Sequence, residues 1–560
     1  MYLRTMVRHN ANGTTVRYLQ LAHNHRDPKT KRPTATVIYN FGREDQVDRE
    51  AIRRLVRSLS RLLSPEDAAR AEAEAQGLTF TESRPLGGAW LLDVLWRQLH
   101  LDRLATRLWG HRKFQFPIER LWFTLVAARA LAPDSKLAME DWVAHDVVLP
   151  GLESVEVHDL YQVMDLVGEA EAELQRQVFT EVADLLNLEV DLLFFDTTNV
   201  YFCRDEPDRT PEGGKGFRAY GHSKEKRDDL PIVSIGLAVT REGIPVRCWC
   251  WPGNTNDAAV IPEVKRDLVG WKLGRVITVI DRGFTSEENL RTLQRAGGHY
   301  IAGEKIRSRQ TEIEQALSRA GRYQTVRDNI EIKEIVVGDG EARRRFVLIR
   351  NPREVERDRR RRQDVLAELR EALGTLPDKK TKTKDYLAAV ERLQANKRYR
   401  PYLTLGKGPE LRIDNAKVRA AERLDGKYLI STSDDTLSAE DAALGYRQLL
   451  EVERCFRTLK TVLELRPVYH RLESRIRSHV VLCWLALLLA RICEEKTGHT
   501  WDEIRQHMQR LQVITYQGPA GEARQCTQPT PEQTAILTAL GASPPPRIFA
   551  LRPPASRTSA

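Results

Sequence analysis

Apolar and polar residues alternate from Val16 to Leu21 and again from Thr34 to Phe41, on either side of an Asp-Pro-Lys segment at 27–29, a pattern that predicts a β-hairpin. The period then lengthens. Ile52 to Leu63, Ala89 to Leu99, Ile118 to Leu131 and Leu160 to Leu186 carry apolar residues three and four apart with Pro and Gly between them, which predicts a helical region as far as residue 187. At Val190 a short, almost unbroken apolar run leads into Asp196-Thr-Thr-Asn, the pattern of a buried strand that ends in an acid. Ile232 to Val239 and Pro245 to Trp251 flank the turn Thr-Arg-Glu-Gly and predict a hairpin. Asn254-Thr-Asn-Asp offers N-cap chemistry to a helix over 258–268. The β-branched run Val276 to Ile280 leads into Asp281-Arg-Gly-Phe, followed by a helix over 286–295 and a strand over 299–306. In order this is an α/β layer whose first and fourth strands each finish in an aspartate.

That placement has chemical meaning. A carboxylate at the end of a buried strand costs several kcal/mol unless a cation or a set of donors compensates it. If the first and fourth strands are neighbours, Asp196 and Asp281 converge. A third acid lies far downstream: 439–463 predicts one long helix whose core stripe is Leu449, Val452, Phe456, Leu459 and Leu463. Beside that stripe Tyr446, Glu453, Arg457 and Lys460, seven, four and three apart, line one adjoining face.

The chain has 560 residues, 41% hydrophobic and 30% charged, which excludes a disordered or collagenous protein. Its longest uninterrupted apolar run, Val480 to Ala490, falls short of the roughly 20 residues that span a bilayer, so no membrane partner is expected. The N-terminus shows no charged start followed by an apolar stretch and a small-residue cleavage site, so no secretory signal is expected. Seven scattered Cys without a Cys-x-x-Cys pair argue against a disulfide framework or structural zinc and for a reducing cytosol. The net charge of +10 is unevenly spread. Residues 1–63 hold 13 Lys and Arg against 5 acids, and residues 341–362 hold 10 Arg against 4, which suits a long polyanionic partner.

Together these residues resemble the DDE transposases of bacterial insertion sequences, in particular the subgroup with a tyrosine-arginine-glutamate-lysine signature around the third acid. Asp196 matches the first acid, Asp281 in Ile-Asp-Arg-Gly-Phe the second, and Glu453 in Val-Glu-Arg-Cys-Phe-Arg-Thr-Leu-Lys the third, with Tyr446 and Lys460 at the signature's tyrosine and lysine. The signature's arginine falls at 449, where this chain has Leu; Arg447, Arg454 and Arg457 are the candidates to replace it, and the i+4 spacing from Glu453 favours Arg457. Gly221-His-Ser-Lys-Glu-Lys-Arg-Asp-Asp-Leu-Pro, Pro252-Gly-Asn-Thr-Asn-Asp and the stretch from Arg466 to His479 also look like this group.

The resemblance implies an α/β ribonuclease H-like catalytic core with a large mixed α+β insertion between the second and third acids, preceded by a small N-terminal sheet and a helical domain. It implies that Asp196, Asp281 and Glu453 hold two Mg²⁺ ions, with Mn²⁺ as a substitute. The implied partners are double-stranded DNA, both transposon ends and target, and a second copy in a synaptic homodimer. The implied reaction is hydrolysis at the element end followed by attack of the freed 3′-OH on target DNA, in the bacterial cytosol. Tyr446, Arg457, Lys460, His222, Lys224, Arg227 and Arg282 are the expected DNA contacts. The expected organisation is a basic hairpin and helix over 1–63, a helical end-binding domain over 64–187, the core over 188–306 and 429–500, the insertion over 307–428, and a C-terminal region over 501–560 with a Pro-rich tail. All ten Trp lie outside the insertion, so a base-flipping wedge there falls to Tyr399, Tyr402 or another aromatic. Two alternatives stay open: a nuclease or resolvase of the same fold that cuts without joining, and a catalytically inactive DNA-binding descendant.

Overall fold

The computed structural model describes residues 2–10, 14–26, 33–60, 62–64, 66–67, 79–188, 190–203, 206–210, 213–214, 216–271, 276–307, 310–327, 329–340, 343–376, 384–406, 410–518 and 521–552. They fall into two compact units, one of residues 1–82, 515–524 and 550–560, the other of residues 83–514 and 525–549. In the first, β1 (Tyr2–His9), β2 (Thr15–Arg26) and β3 (Pro33–Arg43) form an antiparallel sheet in the order β1-β2-β3. The predicted hairpin is β2 and β3; its Asp-Pro-Lys turn lies outside the described residues, as does the second Pro-Pro of the predicted tail. β1, whose Val7-Arg8 and Met6-Thr5 steps alternate only weakly, joins it because β2 offers an open edge. The helix Arg49–Ser60 follows, with Asp48 accepting from the backbone N–H groups of Glu50 and Ala51 at 2.9 and 3.0 Å.

β4 (Thr79–Pro85) leads to the helices Gly87–Gln98, Leu101–Trp109, Ile118–Leu131, Val157–Glu169 and Glu171–Leu186. The last two replace the single helix expected over 160–186, broken at Ala170. Among the described residues one helix, Glu473–Thr497, is long and apolar enough to cross a bilayer, but its apolar window is 94% buried within the protein. It packs against Ile118–Leu131 and Val157–Glu169, so its all-round apolar surface belongs to the core. Gly168 makes that approach possible: a Cβ there would stand 2.8 Å from Ser478 Oγ, which donates to the Met164 carbonyl at 2.6 Å.

The centre of the second unit is a nine-stranded sheet. Its strands are β5 (Leu192–Tyr201), β6 (Ile232–Val239), β7 (Pro245–Pro252), β8 (Ile277–Ile280), β9 (His299–Glu304), β10 (Gln324–Arg327), β11 (Ile330–Val337), β12 (Arg344–Arg350) and β15 (Lys427–Thr432), in the order β10-β11-β12-β15-β9-β8-β5-β6-β7. β5, β8 and β9 are mutually parallel and the other neighbouring pairs antiparallel. This mixed sheet with helices packed on it fits a ribonuclease H-like core. β10, β11 and β12 extend it rather than forming a separate body, and the expected boundary at 428/429 falls inside β15. The pair β13 (Leu403–Leu405) and β14 (Leu411–Ile413), with the helices Pro352–Gly374 and Lys384–Ala395, has a small core of its own around Leu369, Tyr386, Val390, Leu403 and Leu411.

The second basic run is not an open track. Arg343, Arg344, Arg345 and Arg350 pair with Asp435, Glu304, Glu334 and Glu331 at 2.6–3.2 Å. Arg360 pairs with Glu356 at 2.9 Å, and Arg362 is buried against Asp425. A count of charges along the chain misses acids that arrive from other strands and helices.

The region expected as one helix over 439–463 is two, Ala439–Arg447 and Leu450–Thr461, separated by a tightened turn in which the Leu449 and Glu451 N–H groups donate to the carbonyls three residues back at 3.1 and 2.9 Å. The first segment packs on β8, β9, β11 and β12, the second on β5 and β6. Because the sheet twists between those strands, one straight helix cannot follow both, and no Pro or Gly at 448–449 announces the break.

Candidate active site

The register of two parallel strands builds the site. β5 pairs with β8 so that Phe195 stands opposite Ile280, which brings the next residues, Asp196 and Asp281, side by side. Asp281 follows the last residue of β8, as expected. Asp196 does not end its strand: β5 continues to Tyr201, paired throughout with β6, and Asp196 marks where β8 stops covering it. The apolar residues before it hold both faces of the strand in the core, with Leu193, Phe194 and Phe195 fully buried.

Burial pushes the Asp196 carboxyl up to about 6; Lys224 and the Thr197 N–H, which donates to Oδ1 at 2.7 Å, oppose this, while Asp281 and Asp257 add to it. The sign for stability follows. Below about 4 the carboxyl is protonated in both folded and unfolded chains; above about 6 it is ionised in both, and the folded chain bears the burial cost. Asp196→Asn is therefore expected to raise the melting temperature of the metal-free protein at pH 7.5, by about 2 kcal/mol of stability, with the gain disappearing as pH falls from 6 to 4. Thermal melts of both proteins across that range check it, and a gain independent of pH would contradict the placement.

A cleft of about 510 Å³ opens beside the two aspartates; Glu453, Arg282, Arg447 and Leu449 also line it. Glu453 is exposed on the wall contributed by Leu450–Thr461. Tyr446, placed by the preceding helix, donates its hydroxyl to Asp281 Oδ1 at 3.0 Å, and burial together with that carboxylate raises its pKa far above the usual phenol value. The ring packs over Gly303 of β9, where a Cβ would lie 2.1 Å from the hydroxyl. Tyr446, an expected DNA contact, thus engages the second acid through its hydroxyl.

Other expected contacts are also engaged within the protein. Lys460 donates to Thr198 Oγ1 at 2.6 Å and Glu225 Oε1 at 2.7 Å, and Arg466 shares Glu225. Lys224 donates to the Thr197 carbonyl and hydroxyl at 2.7 and 2.6 Å. Arg227 pairs with Asp229 at 2.9 Å and lies over the Tyr201 ring, while His222 is exposed on the same loop. Arg457 is exposed outside the residues that line the cleft. Leu449 packs against the core, as expected, and also lines the cleft, where Arg447 stands in place of Arg457. The break in the helix brings Arg447 to the cleft, because residues before it are rotated relative to those after it. Within the segment that offers N-cap chemistry, Asn256 is the cap, and Asp257 instead faces Thr197 and Lys224.

Residues 191–489 match the transposase DDE domain, and residues 3–77 match the N-terminal domain of IS1634 family transposases. The chain belongs to the DDE transposases. A solved structure, the cryo-EM structure of the piggyBac transposase synaptic complex with hairpin DNA, aligns with 74% of this chain and 75% of its own at 11% identity and a TM-score of 0.33. No curated protein matches.

DDE domains use divalent metal ions, and the donors of this transposase fit such an ion. They are carboxylates, as hard cations require; the Asp281 charge adds to the cost of ionising Asp196, and no Cys or His is among the described residues that line the cleft. Among the described residues no three His, Cys, Asp or Glu stand close enough together to enclose an ion, and Glu453 lies on the wall of the cleft.

Proposed function

We propose that this transposase binds the terminal inverted repeats of an insertion sequence, hydrolyses DNA at the element ends and joins the freed 3′-OH ends to target DNA. The observation that carries the reading is the pairing of β5 with β8, which sets two acids of the matched domain side by side on a cleft that also holds the third. Asp196, Asp281 and Glu453 hold the divalent ions, Mg²⁺ by expectation and Mn²⁺ as a substitute. When bound, these ions stabilise charge on the attacking and leaving oxygens of an in-line phosphoryl displacement. Tyr446 keeps Asp281 turned toward the cleft, and Arg282 and Arg447 contact phosphates beside the scissile bond. The N-terminal sheet and helix, matching the IS1634 N-terminal domain, bind the element end, and two copies act on two ends.

Incubating the purified protein with a labelled duplex carrying an element end, a target plasmid and Mg²⁺ tests this. End cleavage with joined products supports it; cleavage without joining assigns the alternative of a nuclease, and end binding without cleavage that of an inactive descendant. Within the same assay Arg447→Ala is expected to lower cleavage about tenfold, the loss of one charge-assisted phosphate contact of roughly 1.5 to 3 kcal/mol, while Arg457→Ala does much less. The reverse order would put Arg457 on the DNA.

A further inference from the structure

A closed polar ring of Lys224, Thr197 and Asp257 lies beside the acids. Lys224 Nζ stands 3.8 Å from Asp196 Oδ1, the one cation within ion-pair reach of that carboxylate among the described residues. It is closer to a different acid, Asp257, whose Oδ2 lies 3.1 Å away. Thr197 closes the ring: its hydroxyl donates to Asp257 Oδ1 at 2.8 Å while its hydroxyl and carbonyl oxygens accept from Lys224. Both arms are anchored. The Lys224 N–H donates to Asn199 Oδ1 at 3.0 Å, and Asp257 opens a turn capped by the Asn256 side chain.

We propose that Lys224 is a placeholder cation shared between Asp196 and Asp257 in the metal-free transposase, and that Asp257 is the positioning residue that retains this ammonium when a divalent ion binds at Asp196. The inference rests on the metal-dependent reading above. Asp281 stands beside Asp196 across the β5–β8 pair, and Asp257 reaches the neighbouring Thr197 hydroxyl, so Lys224 lies between two carboxylates, Asp196 and Asp257, and offsets charge on both. A lysine on a flexible stem can swing, which a fixed arginine fork cannot do as readily. An ammonium left 3.8 Å from a metal-bound carboxylate would repel the incoming ion. Asp257 already holds it in the shorter ion pair, and both bonds to Thr197 can stay, so leaving Asp196 needs only a small displacement.

The test is a double-mutant cycle on divalent binding by the full chain, read by isothermal titration calorimetry with Mn²⁺. Lys224→Gln, which keeps a donor for Thr197 but drops the charge, is expected to tighten Mn²⁺ binding about fivefold. Asp257→Asn, which leaves the ammonium no other carboxylate, is expected to weaken it about fivefold or more. The decisive outcome is the double variant: because Asp257 acts through Lys224, Asp257→Asn is expected to cost less than about twofold in the Lys224→Gln background. Lys224→Met repeats the cycle should Lys224→Gln fail to fold, and Asp257→Glu is expected to restore near wild-type binding. Additive effects, or weaker binding by both Lys224 variants, would overturn the placeholder while leaving the metal reading intact, provided that Asp196→Asn abolishes binding. Absence of Mn²⁺ binding in every protein overturns both.

Discussion

Asp196→Asn, Asp281→Asn and Glu453→Gln are each expected to lower metal-dependent end cleavage by about a thousandfold or more while end binding stays within about twofold. The size follows from the role: a residue that holds the charge-stabilising centre acts as part of a unit, and losing one member costs nearly as much as losing all. The three substitutions differ in stability in a way that separates a ligand role from a structural one. Asp196→Asn removes a carboxylate whose ionisation is penalised by burial, so that variant gains stability as it loses activity. Asp281→Asn loses the charged acceptor of the Tyr446 hydroxyl and is expected to be slightly less stable. Glu453 is exposed, so Glu453→Gln is expected to be neutral. Cleavage assays alongside thermal melts give both readouts, and appreciable cleavage by any one variant would remove that acid from the site.

The second large effect lies in the basic run. Arg362→Ala is expected to destabilise the protein by about 3 kcal/mol, because it strands Asp425 and loosens Glu422 beneath the helix Pro352–Gly374. Arg359→Ala and Arg360→Ala, whose guanidinium groups are exposed and share Glu356, are expected to change stability by less than about 0.5 kcal/mol. Urea denaturation of the three variants decides between a run of equivalent surface charges and one in which a single arginine anchors the fold. Equal, small effects would mean that Arg362 reaches solvent after all.

The order of elements from β5 to β9 is legible in the sequence because each strand there is buried on both faces and so reads as an unbroken apolar run, the strongest one-dimensional signal a parallel strand has. The same signal makes Asp196 and Asp281 conspicuous, since a carboxylate at such a place is expensive and needs a reason. Glu453 is legible through its spacing to Lys460 and the resemblance those residues carry, although Lys460 itself turns out to be held by Thr198 and Glu225.

What the sequence by itself determined about this transposase is therefore the alternation of strands and helices, the three candidate acids and the helical character of the segment around Glu453. Those properties are local: they depend on burial and on spacing within one element. The tertiary structure alone decided that Asp196 sits within its strand, that the helix breaks before Leu450, that Tyr446 serves Asp281 and that Arg447 replaces Arg457 on the cleft. It also decided that the arginines from 343 to 362 are largely neutralised and that Asp257 meets Lys224. Each of these is set by register and sheet twist, which bring together residues far apart in the chain, and no periodicity within a single segment encodes which partner a side chain will meet across the sheet.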